Sequence, residues 1–302
     1  MKKVLLFGGS GLVGSGIKQF LSDRYQIIAP AHTEVDVTKK NQVAAIIEKV
    51  HSDSIIYAVG LADIEKAERE PDLGYLLNAK IPSFIAKKAA SFNIPLLYFS
   101  TNAVFDGVEK MRPYKETDRT RSISQYGKSK LEGEQMVMKI SDKNCVVRLI
   151  MPYSAMLTKR KNFVLTILDA FKHEEKIYGI TDQFINPICI NNIADAVYEL
   201  IKNCAGGIYH IGATDYVTNI EFIRKLARIF NLNENLIKEI SLEEFFRGKK
   251  APRMKFGCLD TSKFKNKISK NTLLSVEESL KFFHDSLTDS PPVPMDIFRQ
   301  PS

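Results

Sequence analysis

No run of eighteen consecutive apolar residues occurs in this 302-residue chain, so no segment has the length and hydropathy of a membrane-spanning helix. A cleavable leader is not expected either. Met1-Lys2-Lys3 is basic, but the apolar run behind it is short and ends in glycines rather than at a small-residue cleavage site. Cysteine is sparse. Cys145, Cys189, Cys204 and Cys258 lie far apart, with no CxxC and no metal-ligand spacing. Free buried thiols in a cytoplasmic protein are expected, and no metal site. Long runs of like charge are missing too, the densest basic one being Lys159-Arg160-Lys161. The net charge of +8 therefore does not read as a nucleic-acid surface, because acidic residues are interspersed nearly everywhere. A small anionic substrate suits that balance better. No internal repeat is present.

What the chain has is apolar residues for a core, 44% of the total, enough for one large domain or two intimate ones. It is organised around its N-terminus. Val4-Leu5-Leu6-Phe7-Gly8-Gly9-Ser10-Gly11-Leu12-Val13-Gly14 reads as strand, tight turn and helix, with Ile17, Phe20 and Leu21 on one helical face. Glycines in such a turn permit the bend, let backbone approach a pyrophosphate, and let the helix pack close to the strand. The helix N-terminus offers free N–H groups to phosphate. Gly9-x-Gly11-x-x-Gly14 is the ordinary dinucleotide spacing. Gly8-x-x-Gly11-x-x-Gly14 resembles the variant of extended short-chain dehydrogenase/reductases.

Strands are predicted over 26–29, 54–59, 95–100 and 145–150, with a short extended piece at 34–37. Helices are predicted over 39–50 (capped by Thr38), 64–70 (stopped by Pro71), 75–92 and 125–139. Strands alternating with helices imply an α/β fold with a Rossmann-type, doubly wound parallel sheet. Beyond 150 the pattern loosens, with helices expected at 162–171, 191–202 and 219–230 and a strand at 207–211. The expected division is a dinucleotide-binding domain over 1–153, to which 182–206 returns. A smaller substrate-binding lobe takes 154–181 and 207–288, and 289–302 is a proline-rich tail.

Tyr126-Gly127-Lys128-Ser129-Lys130 opens the helix predicted from 125. Tyr126 and Lys130 are four apart and share a face. A cation beside a tyrosine favours the phenolate and makes it a usable acid or base. Ser100 and Thr101 end a strand, where hydroxyls serve either capping or chemistry. Together, Tyr-x-x-x-Lys and the glycine loop resemble the short-chain dehydrogenase/reductase superfamily. Other segments resemble the dTDP-4-dehydrorhamnose reductases within it. They are Ser100-Thr101-Asn102-Ala103-Val104-Phe105-Asp106-Gly107, Ile64-Glu65-Lys66-Ala67-Glu68, Leu77-Asn78-Ala79, Asp182-Gln183-Phe184-Ile185-Asn186-Pro187, Ala251-Pro252-Arg253 and Leu259-Asp260-Thr261-Ser262-Lys263. The match is collinear over about residues 4–265.

That resemblance implies an NAD(P)H-dependent reductase of a nucleotide-linked 4-keto-6-deoxy sugar. Thr101 would hydrogen-bond the substrate carbonyl, and Tyr126 would protonate its oxygen as hydride arrives. Lys130 would hold the nicotinamide ribose and lower the tyrosine pKa. Gly8, Ser10, Gly11, Leu12, Val13, Gly14, Ala58, Val59 and Gly60 would line the cofactor cleft, with Asp36 and Val37 near the adenine. Asn102 and Arg253 would face the nucleotide sugar. Arg253 is a better candidate than Lys263 for the diphosphate, since a guanidinium grips phosphate in a fork. A homodimer is compatible with this reading. Asp36 follows Gly14 by 22 positions, the distance at which a carboxylate selects the ribose of NAD. But the second strand ends near Ala29-Pro30, and Ala31-His32-Thr33 holds neither an acid to repel a 2′-phosphate nor an arginine to grip one. NADP(H) is therefore expected, with NAD(H) as the alternative.

The departures fall on the substrate side. Asn102-Ala103 replaces Asp-Tyr, Asn186 replaces glycine, and Arg148-Leu149-Ile150-Met151-Pro152-Tyr153-Ser154 replaces Arg-Thr-Ser-Trp-Val-Tyr-Gly in a chain without tryptophan. Two other readings stay open. One is an epimerase or dehydratase of the same superfamily, although a dehydratase usually carries Asp-Glu after the threonine. The other is a non-catalytic NADP-binding subunit, like the regulatory subunit of methionine adenosyltransferase.

Overall fold

A computed structural model describes residues 1–107, 112–155 and 162–288. The Lys159-Arg160-Lys161 triplet and the tail 289–302 lie outside the described residues. Six strands form one parallel sheet: β1 (Lys3–Phe7), β2 (Gln26–Ile28), β3 (Ser54–Tyr57), β4 (Leu96–Thr101), β5 (Cys145–Leu149) and β6 (Gly207–Ile211). Their order across the sheet is β6-β5-β4-β3-β1-β2. Strands such as β1 and β3 read as near-continuous apolar runs because both faces are covered. Val4 and Leu6 point into one core with Ile17, Leu21, Ile193 and Val197. Leu5 and Phe7, one residue out of phase, point into the other with Val43, Ile47, Ile85 and Val137. Helices Leu12–Leu21 and Ile190–Lys202 therefore cover one face, and Lys40–Val50, Ile81–Ala90 and Gln125–Ile140 the other. The chain leaves β1 for β2 on one side and returns to β3 on the other. The crevice beyond the carboxyl ends of β1 and β3 is thus the topological switch point, where such sheets bind ligands.

Several expectations change. The strand Gly207–Ile211, assigned to the second lobe, is the sheet's edge strand, in register with Cys145–Leu149. Its Tyr209 and Ile211 are buried in the sheet's own core, which draws it there. Residues 34–37 form no strand. Their polar groups are met locally instead: the Asp36 amide donates to Gln42 Oε1 at 2.8 Å, and Asp36 Oδ1 accepts from Thr38 N and Oγ1 at 2.9 and 2.8 Å. With its hydroxyl so engaged, Thr38 does not cap the next helix, which begins at Lys40 behind Lys39 with no side-chain cap. Pro71 does more than stop a helix, since it also opens the short helix Pro71–Tyr75 at a position that needs no amide donor.

The second lobe has its own core of Val104, Tyr153, Leu165, Phe222, Leu226 and Phe283. Helices Phe163–Lys172, Asn219–Ile229 and Val276–Thr288 surround it, with small two-stranded pairings such as Phe184–Ile185 with Val217–Thr218. Of the segment expected to return to the first domain, Ile190–Lys202 packs on the helix Leu12–Leu21, whereas Phe184–Ile185 pairs within the lobe.

One buried polar chain crosses the sheet edge. Arg148 on β5 grips Glu134 in a fork, Nε to Oε1 at 2.9 Å and Nη2 to Oε2 at 2.7 Å, with both side chains no more than 3% exposed. Its Nη1 reaches His210 Nε2 at 3.2 Å, and His210 Nδ1 lies 3.0 Å from the Tyr114 carbonyl. A carbonyl only accepts, so the proton is on Nδ1 and Nε2 accepts from Arg148. At the open side of β6, the His210 amide donates to Glu116 Oε1 at 3.0 Å, and Lys263 Nζ donates to the Ile208 carbonyl. Burial, and after it the Arg148 charge, push the His210 imidazole down to about 3.

A neutral buried histidine gives a signed prediction. Its folded pKa lies below the ordinary value of about 6.5, so the unfolded chain binds the extra proton between the two. The stability it contributes is fully present above about pH 6.5 and is lost as pH falls toward 3, at about 1.4 kcal/mol per pH unit. His210→Gln keeps a donor and an acceptor but does not titrate. Urea unfolding between about pH 6.5 and 4 should show a shallower loss for the variant; parallel pH profiles would contradict the assignment.

Candidate active site

The glycine loop sits at the switch point, and its glycines are not equivalent. Gly8 has φ +92°, and a Cβ there would lie 2.7 Å from the Ala58 carbonyl carbon, across the crevice at the end of β3. A Cβ on Gly14 would land on the Gly8 carbonyl. The protein's own packing demands both. Gly11 meets only the Gly8 oxygen at 3.5 Å, an ordinary contact. Its missing side chain leaves room directly before the helix Leu12–Leu21, whose N-cap it is. No side chain caps that end, and no acid stands in its first turn. Amide donors with open space before them suit a phosphate group. Ser10 and Gly11 are exposed, and Leu12 and Val13 half-buried, at this mouth.

The opposite wall is Ala58-Val59-Gly60-Leu61. Asn78, fully buried, holds it: Oδ1 accepts from the Leu61 amide at 3.0 Å, while Nδ2 donates to the Leu61 carbonyl at 3.3 Å and to Ser129 Oγ at 2.9 Å. Gly60 has no room for a Cβ between Asn78 Oδ1 and Lys130 Nζ. Asp36 and Val37 lie beyond β2, half-buried, with the Asp36 carboxylate committed to Thr38. The end of β2 is not free of acid, as its local sequence suggested. Glu34 turns back so that Oε2 accepts from the Ala31 amide at 2.6 Å.

Thr101 is the last residue of β4 and Tyr126 the second of the helix Gln125–Ile140, capped by Ser124 through the Gly127 amide at 3.2 Å. Two glycines let this helix lie close to its neighbours: a Cβ on Gly127 would land on the Ala103 carbonyl just past β4, and one on Gly133 on the carbonyl of Asn78 in the helical segment Leu76–Lys80. Tyr126 therefore meets Thr101. Burial pushes the Tyr126 phenol above its ordinary range, and the hydrogen bond with Thr101 works against that. The net direction is thus up, opposite to the lowering expected from Lys130. Its Nζ donates to the Phe99 carbonyl at 2.9 Å and lies 4.9 Å from the centre of the Tyr98 ring. Burial brings the ammonium down to about 8, opposed by Glu134 one turn along.

Thr101, Asn102, Tyr126 and Arg253 line one cleft of about 250 Å³. Thr101 Oγ1 accepts from the Ala103 amide at 3.2 Å and lies 3.3 Å from Asn102 Oδ1, and Asn102 Nδ2 donates to the Gly257 carbonyl at 2.9 Å. The remaining wall is largely apolar, including Ile150, Phe184 and Met254, and Gln183 joins it. Met151, standing where the resemblance expects tryptophan, lines the cleft with φ +41°, a strained backbone of the kind that collects at binding sites. Asn186 does not face this cleft. It is buried, joining the Ala213 and Leu259 carbonyls at 3.0 and 2.9 Å and the Leu259 amide at 3.0 Å. Lys263 also stays outside, at the open side of β6. Asn78 and Glu34 are not among the site residues expected from the sequence; Asn78 shows there only as a polar residue in an apolar helix within the resembling Leu77-Asn78-Ala79 segment, and Glu34 as an acid shortly past the end of a strand. Among the described residues no cluster of three or more potential metal ligands occurs, and no helix is long and apolar enough to cross a membrane.

The model of the family described as RmlD substrate binding domain matches residues 1–287. A dTDP-4-dehydrorhamnose reductase of Aggregatibacter actinomycetemcomitans is 29% identical over 276 residues, covering 87% of this chain and 92% of that one. The enzyme of the same name from Shigella flexneri is 32% identical over 219 residues, covering 70% and 72%. Among solved structures, a dTDP-4-dehydrorhamnose reductase of Bacillus anthracis in complex with NADP superposes with a TM-score of 0.88 at 28% identity, over 94% of this chain and 99% of that one.

The unequal glycines predict unequal variants. Gly14→Ala drives a methyl into the Gly8 carbonyl and should cost about 1–3 kcal/mol of stability, as overpacking does. Gly11→Ala should cost well under that. Thermal unfolding measures both, and equal losses would show that Gly11 is also held by the protein's own packing.

Proposed function

The chain belongs to the RmlD substrate binding domain family, and we propose that it reduces the 4-keto group of a nucleotide-linked 6-deoxy sugar, with dTDP-4-dehydrorhamnose the first substrate to test. The observation that carries this reading is that Thr101 and Tyr126 line one cleft, with Lys130 one helical turn beyond Tyr126.

The glycine loop, the uncapped helix end and the Ala58–Gly60 wall fit a nicotinamide dinucleotide, which when bound would supply a hydride to the keto carbon. This chain's residues do the rest. Thr101 orients the keto oxygen by hydrogen bonding. Tyr126, whose raised pKa keeps its proton in place at neutral pH, donates that proton to the oxygen, so hydride and proton together make the alcohol. Thr101 and the Lys130 ammonium then stabilise the phenolate left behind. The apolar wall excludes water and suits a deoxy sugar. Asn102 has no acid or base to offer, and its amide is tied to Gly257, which argues against dehydration.

Three variants should give three signatures. Tyr126→Phe should lower turnover by roughly 10²–10⁴ with cofactor affinity nearly intact. Lys130→Met should lower both. Thr101→Val should lower rate alone. Steady-state rates and calorimetric cofactor binding separate them, and wild-type turnover by Tyr126→Phe would rule out this mechanism.

Cofactor preference is proposed to turn on Glu34. A carboxylate at the end of β2 repels a 2′-phosphate and favours a free ribose hydroxyl, so Glu34→Gln should shift the ratio of affinities toward NADPH relative to NADH. An unchanged ratio would place the ribose elsewhere.

A further inference from the structure

Among the described residues, Arg253 is the one lysine or arginine lining the cleft, and it is already ordered. Its Nη2 donates to Glu65 Oε1 at 3.0 Å and its Nη1 to the Ala251 carbonyl at 2.8 Å. Its Cζ lies 4.6 Å from the centre of the Phe246 ring. The Arg253 and Glu65 side chains are only 16% and 23% exposed. Glu65 does more than pair a charge. Its Oε2 accepts from the Lys250 amide at 3.2 Å and its Oε1 from the Ala251 amide at 3.3 Å. One carboxylate on the helix Ile64–Arg69 thus fastens a segment some 186 residues away. That helix is itself fixed at its start, where Asp63 accepts from the Lys66 amide at 2.9 Å, and its first residue, Ile64, lines the cleft.

We propose that Glu65 is a positioning residue that presents Arg253 to the diphosphate of the nucleotide sugar; this rests on the function proposed above. A guanidinium has five N–H donors. The bonds to Glu65 and Ala251 use two of them, and three are left for phosphate oxygens. Phe246 fixes the plane of the fork, and Glu65 fixes its reach. A diphosphate entering the cleft therefore meets a guanidinium whose rotamer is set before binding. This removes the ordering cost that a long flexible cation otherwise brings to a binding event. The same carboxylate holds Ala251 to Arg253 against the cleft, so the wall and the charge are placed together. The arrangement trades some attraction for geometry, because Arg253 is shared between two anions.

The test uses the full chain, with dTDP alone as the binding probe. Glu65→Ala should raise the dissociation constant for dTDP and the KM for the ketosugar by about tenfold. The kcat should stay within about twofold, and NADPH affinity should not move, since Glu65 touches neither the reacting atoms nor the glycine loop. Glu65→Gln, which retains an acceptor oxygen, should lie between wild type and Glu65→Ala. It carries the same test if the alanine variant does not fold. Arg253→Met should weaken dTDP binding, and adding Glu65→Ala to it should weaken binding little further, because both act through one contact. Wild-type dTDP affinity and KM in both Glu65 variants would overturn the role of Glu65 while leaving the reductase reading intact, as would additive losses in the double variant. A wild-type protein that neither binds dTDP nor reduces the ketosugar would overturn both.

Discussion

The site depends on how closely one helix can approach the end of β4 and the helical turn that carries Asn78. Gly127 and Gly133 have no side chain to hold Gln125–Ile140 away from the Ala103 and Asn78 carbonyls. That contact brings Tyr126 to Thr101 and buries Lys130 beside Phe99. It also sets Glu134 where Arg148 can take it in a fork, locking the helix to β5. Removing one partner of a buried pair leaves an uncompensated charge, a far larger penalty than the pair's net contribution. The chemistry therefore rests on a helix placed by steric permission from glycine and held by a desolvated ion pair.

Around this helix the structure divides its polar work. On the crevice side Asn78 satisfies three groups from a single buried amide, which pins the Leu61 end of the Ala58–Leu61 wall. On the cleft side Asn102 and Glu65 do comparable work for the 250–257 segment. The second lobe is thus tied to the first by side chains that reach across long sequence separations, and the cleft lies where these ties converge.

This explains what was legible in the sequence. The strand, glycine turn and helix at 4–21 are local, as is the four-residue spacing of Tyr126 and Lys130, and both stand where expected. Thr101 ends its strand as read. The lone arginine of the Ala251-Pro252-Arg253 stretch reaches the cleft, but the acid that orders it could not be seen, because Glu65 and Arg253 meet only after the fold closes. Asn186 read as a change on the substrate side, yet it is a buried fastener between Ala213 and Leu259. The strand 207–211 was assigned to the wrong lobe because its apolar run carries no mark of which sheet it joins. The pKa of Tyr126 reversed direction for a related reason. Sharing a helix face brings Lys130 near, but burial, which periodicity does not reveal, outweighs proximity.

The two polar contacts at β6 have a consequence for solubility. In a parallel sheet the outermost strand turns alternate amides and carbonyls outward, a ready template for a strand from another molecule. Here the outward Ile208 carbonyl is taken by Lys263 and the outward His210 amide by Glu116. At the far edge, β2 is only three residues long and is followed closely by Pro30, which leaves little ladder to extend. Both edges of the sheet thus offer less unpaired ladder to another strand than their length alone would. Burial raises the Glu116 pKa and lowers that of Lys263, the electrostatic cost of using charged side chains as stoppers on an otherwise adhesive edge.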